Sequence, residues 1–482
     1  IRLIGTTKNM KKLCESRVFS VIIFYMSKNN SPWIHQLART RPISKGKIPE
    51  KTDIVIVGGG IAGISTAYEI LKNTDLKVVL LEATKVAHGA TGHNAGQITS
   101  YFENPFQDFV NKFGLEQSAD AVRAIEYDAR MILNEIMRDA NIKTPLSEFE
   151  GYDGLKDKDS VLLYLEDLKL KSEAGLSIRK MYISEEWSHS MHLPSEYKSF
   201  YTKIGHSDVM SLLETIDSDY IAALPFLSGC MNSALFTEEL AVFILNNFKD
   251  RFVLVEESPV SVCELHKDFV YLKSKDISIL TDRVVLCTNG FENIKIDNKN
   301  GVDIDTKFHH KVSGLIGYMA GFTENPDKKP SASIYTKSIG MNGGEYFYTT
   351  RRPYELRDNK VNLISIGGPE EVIEDASKYD RNMHVPSSAI GSIFSFIEKT
   401  YNTKTKNDIF EFIWHGLMGY TPNGVRLIGI EPCNPLLLYN LGCNGVGILP
   451  SIYGAKRISK ILNNEVLKPS IFDPKDQTCP IE

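Results

Sequence analysis

Cysteine is scarce in this chain and follows no pattern. Seven are spread over 482 residues, at Cys14, Cys230, Cys263, Cys287, Cys433, Cys443 and Cys479, and none stands in a C-x-x-C pair. Such spacing builds neither a disulfide framework nor a zinc site, and it suits a reducing cytoplasm. Long apolar runs are missing too. Val18–Met26, behind Lys11, Lys12 and Arg17, is too short to span a bilayer and is followed by no small-residue cleavage site. Two readings of it stay open, a weak targeting signal or a start site placed too early with Met26 as the true beginning; no membrane partner is expected. A formal net charge of -5, with no basic stripe, excludes the electrostatic footprint of a nucleic-acid binder. His189, His192 and His206 lack ligand-like spacing, so no metal is expected.

What is present is a globular composition, 42% hydrophobic and 24% charged, in a chain long enough for two domains. The most informative stretch runs from Thr52 to Glu82. Ile54–Val57 reads as a buried parallel strand. Gly58, Gly60 and Gly63 then fit G-x-G-x-x-G, where the glycines allow a tight turn, close approach of backbone to a pyrophosphate, and packing of helix on strand. Ile61–Leu71 is the expected helix, with the positive end of its dipole toward that phosphate through Ile61 and Ala62. A second strand, Lys77–Leu81, ends at Glu82, where a carboxylate can take ribose hydroxyls. An acid there disfavours a 2′-phosphate.

Shortly after Glu82 and Ala83 comes Gly89-Ala90-Thr91-Gly92-His93-Asn94-Ala95-Gly96-Gln97. So many small residues favour neither strand nor helix; they give a backbone that can lie against a flat ligand and offer it N–H groups. Together the two segments resemble the flavin-binding start of the D-amino-acid oxidase superfamily of FAD-dependent oxidoreductases, whose members carry Gly-Ala-Ser/Thr-Gly-Arg-Asn-Gly-Gly at this point. The resemblance implies a discontinuous Rossmann-like α/β FAD-binding domain and an α+β substrate domain built on an antiparallel sheet. It extends to Arg283–Leu286 followed by Cys287-Thr288-Asn289-Gly290, a strand passing beside FAD with Val260 nearby. It also extends to Trp414-His415-Gly416 and to Gly442-Cys443-Asn444-Gly445-Val446-Gly447, a turn feeding a helix from about Leu449 to Leu462. Cys287 is read as a small core residue.

Boundaries follow: a leader at 1–50, with 27–50 draped over the first domain; FAD-binding segments 51–104, 225–300 and 411–465; substrate segments 105–224 and 301–410; and a tail at 466–482. The stretch 105–224 reads as helical, with Leu115–Arg138 and Leu155–Ala174 carrying helix-period apolar positions. Phe236–Phe248 is a further helix, and Val260–Leu280 a hairpin-like run. Strands are expected at Lys311–Phe322, Glu345–Thr350, Leu363–Gly368 and Leu436–Leu441. Tyr346 and Tyr348 alternate with Phe347, so one set faces a pocket and the other a core.

The resemblance implies oxidation of a carbon–nitrogen bond in a small amine or amino acid, hydride passing to flavin N5, and reoxidation by oxygen or another acceptor. Three departures bear on it. Met418 stands where many relatives carry a carboxylate-clamping arginine, leaving Arg351 or Arg352 to substitute, or a solvated arginine pair if they do not. Gly416 stands where some relatives attach FAD through cysteine. His93 replaces the usual arginine and lines up with a histidine that carries covalent FAD in dimethylglycine-dehydrogenase-like members. Tyr346, Tyr348, Arg351 and Met418 are the expected substrate contacts. A flavin dehydrogenase of a hydroxy acid, and a flavin-binding protein without turnover, are the alternatives.

Overall fold

The computed structural model describes residues 29–37, 41–100, 102–274, 277–290, 293–304, 312–336, 346–374, 378–401 and 410–475. The run Val18–Met26 with its basic flank lies outside them, as do Cys14, Lys311, Glu345 and Cys479. Two nine-stranded sheets organise the chain.

The first sheet has a parallel centre. Lys51–Val57 lies between Val78–Leu81 and Ile277–Leu286, with Ile54 opposite both Val78 and Arg283. Phe252–Val255 extends one side and Leu437–Leu441 the other, both in parallel. Every residue of Val78–Leu81 is buried, as a strand covered on both faces requires. Helices Ile61–Asn73, Ser233–Asn247 and Ile448–Leu462 supply one cover, where Ile56, Ile64, Leu80 and Ile452 share a core. Val55, Val57, Val79 and Leu286 point the other way, into a core closed by the hairpin Val262–Leu265 and Val270–Ser274.

The second sheet runs Phe412–Tyr420, Ser313–Glu324, Asn359–Ile373, Tyr346–Leu356, Ser331–Thr336, Leu146–Leu155, Ala222–Met231, Met181–Ser184 and Tyr201–Ile204. It is antiparallel except for two parallel pairs, Ser331–Thr336 with Leu146–Leu155 and Met181–Ser184 with Tyr201–Ile204. Helix Ser387–Tyr401 packs beneath it.

Several expectations need correcting. The stretch 105–224 is not purely helical, because four strands of the second sheet begin in it. Leu146–Leu155 hides its alternation behind Glu148, Glu150, Gly151 and Gly154. Ala222–Met231 contains Pro225, tolerated because its short neighbour pairs only at Ala222 and Ala223 and leaves the rest of that edge free. Phe412–Tyr420, expected with the nucleotide-binding segments, pairs along its whole length with Ser313–Gly321 of the second sheet. The leader does not merely drape: Pro32–His35 forms a short helix whose Trp33 is 0% exposed. The tail likewise packs inward at Ile471 and Phe472. Cys230, Cys263, Cys287 and Cys443 are free thiols. Among the described residues no helix is long and apolar enough to cross a membrane.

Candidate active site

A cavity of about 660 Å³ lies between the two sheets and takes lining residues from both, within the usual range for a site holding a cofactor or small ligand. Its first end forms where Lys51–Val57 stops. Gly58 has φ +107°, a conformation that glycine adopts without strain. The helix Ile61–Asn73 begins at Gly60, which brings no side chain to cap it; Ile61 N–H donates instead to Thr91 Oγ1 at 2.9 Å, and Gly60, Ile61 and Ala62 line the cavity at the positive end of the helix dipole. Gly63 stands one layer back, because a Cβ there would overlap the Gly58 carbonyl. Glu82 accepts Gly59 N–H at 2.7 Å with one carboxylate oxygen and Thr84 N–H at 2.8 Å with the other. Those bonds fix the carboxylate at the mouth of the glycine turn, beside Ala83 and Val260.

The loop 89–97 forms the middle of the cavity. Asn94 holds it in shape: its amide donates to the Ala90 and Thr91 carbonyls and to Ser233 Oγ, and its own Oδ1 accepts Gly96 N–H at 2.7 Å. Trp33 and Trp414 both donate their indole N–H to the Asn94 carbonyl, the latter at 3.3 Å. Gly89, Ala90, Thr91, His93, Asn94, Ala95, Gly96 and Gln97 line the cavity, and Gly92 lies behind them against Ile34. His93 donates from Nδ1 to the Gly89 carbonyl at 3.0 Å. Burial, with His415, Arg381 and His88 adding repulsion, pushes its pKa down to about 4, so the ring is neutral at pH 7 with Nε2 bearing a lone pair. Gly416 is bare for a reason: a Cβ there would overlap the His93 carbonyl.

A second helix N-terminus closes the site. Ile448–Leu462 starts at Gly447, again without a side-chain cap. The turn before it is shaped by Gly442 (φ +82°) and Gly445 (φ +74°). It is tied down by Asn444 Oδ1, which accepts Thr421 N–H, and Asn289 Oδ1, which accepts Cys443 N–H. Thr288, Asn289, Gly445, Val446 and Gly447 line the cavity; Gly290, Gly442 and Asn444 support them from behind. Cys287 lines the glycine turn, and burial pushes its thiol up to about 12; it is an inert core group.

At the far end Tyr346, Tyr348 and Met418 face the cavity, while Phe347 turns to the other side and stacks on Phe396 at 4.4 Å. Arg351 does not join them. Its guanidinium is 6% exposed and locked into ion pairs with Glu214 and Glu324. Arg352 is buried as well, with its guanidinium carbon 4.2 Å from the centre of the Trp33 ring. The expectation of a carboxylate clamp from this pair is therefore overturned, and so is that of a solvated pair. The alternation that sends Tyr346 and Tyr348 to the cavity continues along the strand without a register shift: Arg351 falls on the side of Phe347, and Arg352, on the tyrosine side, lies against Trp33 and Tyr354.

Sequence reasoning missed the polar groups beside the tyrosines: Glu103, Glu370, Tyr379 and Arg381 also line the cavity. Glu103 accepts O–H from Tyr420 at 2.9 Å and from Tyr346 at 3.3 Å. Partial loss of water against the cavity wall, with Glu370 adding repulsion, pushes its pKa up to about 7. No spacing signal could have found this group, since its members come from separate elements.

The two sheets and the cavity between them make a mixed α/β architecture whose glycine end suits a dinucleotide-type ligand. Residues 53–187 match the family described as FAD dependent oxidoreductase, DAO. Its curated relatives include a probable oxidoreductase, OrdL, of Haemophilus influenzae, 22% identical over 50% of this chain and 50% of that protein. Gamma-glutamylputrescine oxidoreductase of Escherichia coli is 29% identical over 17% of this chain and 19% of its own. The chain thus spans half or less of the length of these relatives. The glycine oxidase structure from Geobacillus kaustophilus superposes with a TM-score of 0.63 at 13% identity, covering 88% of this chain and 98% of its own, a likeness of fold.

Proposed function

We propose that this chain oxidises the carbon–nitrogen bond of a small amine or amino acid, with hydride passing to N5 of FAD and the resulting imine hydrolysed by water. The observation carrying this reading is one continuous cavity joining two helix N-termini that start at glycine to a pocket of tyrosines, methionine and carboxylates. The first sheet and its helices form the FAD-binding domain in this reading, and the second sheet forms the substrate domain.

FAD, when bound, supplies the hydride acceptor; oxygen or another acceptor regenerates it. The residues present fit it. Glu82 stands where the ribose hydroxyls need an acceptor, and the amides beyond Gly60 suit the diphosphate. The amides at Gly445–Gly447 and the helix dipole behind them stabilise negative charge gathering at the flavin N1–C2 carbonyl edge. Met418 and the tyrosines hold the substrate carbon in a pocket shielded from bulk water.

We further infer that His93 carries the flavin through a covalent bond to its 8-methyl group, supported by a neutral ring with a free Nε2. Acid precipitation of the holoprotein checks it: a yellow pellet is expected, and colour passing wholly into the supernatant refutes the bond.

The reading itself is tested in an anaerobic cuvette. Primary and secondary amines should bleach the flavin and hydroxy acids should not. Bleaching by hydroxy acids alone would move the chemistry to a carbon–oxygen bond, and bleaching by neither would leave a flavin-binding protein without turnover.

A further inference from the structure

Among the described residues, the end of the cavity away from the glycine turn holds two carboxylates and no free cation. Glu103 arches over the turn at Gly445, where any Cβ would overlap its carboxylate. Its two tyrosine O–H partners use two of about four acceptor positions, leaving room for further N–H donors. Glu370 reaches the same space from Asn359–Ile373, and burial pushes its pKa up to about 7. Two carboxylates facing one cavity resist ionising together, and a bound cation reverses that penalty.

The groups around them point the same way. The Tyr346 and Tyr348 rings lie 5.9 Å apart at 34°, presenting faces that attract a cation. Tyr348 lines the cavity, burial pushes its hydroxyl well up, and among the described residues that hydroxyl has no hydrogen-bond partner. The two arginines that line the cavity are committed elsewhere. Arg381 donates to Thr84 Oγ1 and the His88 carbonyl beside Glu82, and Arg426 donates to Asn440 through two nitrogens at 2.7 Å. Among the described residues neither Glu103 nor Glu370 has an ion-pair partner.

The sheet also sets a length. Glu370, Gly317 and Gly416 stand in one row across neighbouring strands, and Gly416 abuts the His93 backbone. Two strand spacings separate the ends of that row, about 10 Å. That span accommodates a chain of several carbons.

Resting on the amine-oxidising reading above, we propose that Glu103 and Glu370 form a cation subsite framed by Tyr346, Tyr348 and Tyr420. The substrate then carries a second protonated nitrogen several carbons from the oxidised bond, and no carboxylate beside it.

Anaerobic calorimetry on the FAD-loaded protein tests this with 1,4-diaminobutane, butylamine and 4-aminobutanoate. The diamine should bind about tenfold or more tighter than either analogue, the gain expected from one charge-assisted hydrogen bond. Glu103→Gln and Glu370→Gln should each remove most of that advantage, with flavin absorbance per protein reporting that each variant is folded and loaded. If one variant loses its flavin, the other decides. Equal binding of the three probes, or an advantage that survives in a loaded variant, overturns the proposal. Selective diamine binding without bleaching by any amine would leave the cation subsite standing and remove the amine-oxidising reading instead.

Discussion

The two ends of the cavity are built from different materials. At the glycine end, backbone does the work: Gly58, Gly60, the loop 89–97 and the turn 442–447 present amides, and each segment is contiguous in sequence. At the tyrosine end, single side chains meet from separate places: Glu103 from a loop, Tyr346 and Tyr348 from one strand, Glu370 from another, and Met418 and Tyr420 from a third. Backbone recognition demands small residues at fixed spacing and leaves a mark in the sequence. Side-chain recognition demands only that distant residues converge, and leaves none.

The largest effect expected from that contrast involves two positions on one strand. Gly416→Val would drive a side chain into the His93 carbonyl and should yield protein without flavin, read as absorbance near 450 nm per polypeptide. Met418→Leu, two residues along on the same face, should keep its flavin and lose less than about 1.5 kcal/mol of stability. Flavin retained in the first variant or lost in the second would erase the distinction.

Next in size are two buried side chains outside the cavity. Trp33 supports loop 89–97 from beneath, touching Gly96 and standing 6.5 Å from Trp414 edge to face. Trp33→Ala should cost about 3–5 kcal/mol in denaturant unfolding and lower the flavin absorbance per polypeptide. Arg351→Met should also cost about 3–5 kcal/mol, because Glu214 and Glu324 lose their counter-charge. It should leave the ratio of diamine to monoamine binding unchanged. A collapse of that ratio would return Arg351 to the substrate site.

Legibility follows the same division. The order of strand, glycines, helix, strand and acid was readable because each member answers a local demand, and the helix found at Ile61–Asn73 extends the expected Ile61–Leu71 by two residues. Tyr346 and Tyr348 were readable through strand alternation. Arg351 was misread since nothing local shows that Glu214 lies opposite it, 137 positions away in the chain. Trp33 was missed because a leader rich in Pro, Ser, Asn and Lys looks like solvent-exposed chain, and only the glycines at 92 and 96 hint that something must fit against them. Glu103 and Glu370 had no signal at all, as a solitary glutamate is most often a surface residue.

The smallest effect is also the sharpest, because the two ends should respond to pH with opposite sign. His93 has its pKa lowered to about 4 from 6.5. Between those values the unfolded chain binds the extra proton and the folded one does not, so stability falls as pH drops below about 6.5. Glu103 is raised to about 7 from 4.5. Across that interval the folded state holds the proton, so stability falls as pH rises from about 4.5 to 7. The two contributions oppose each other in the wild-type melting profile of protein prepared without flavin, and single variants separate them. His93→Gln should flatten the acid-side loss and expose the decline toward neutral pH; Glu103→Gln should do the reverse. Because both groups are open to the cavity, solvent screening keeps each effect to a few degrees in Tm. Profiles that move in the same direction in both variants would mean that the two ends share one electrostatic environment, and the division between a backbone-built and a side-chain-built half would lose its physical basis.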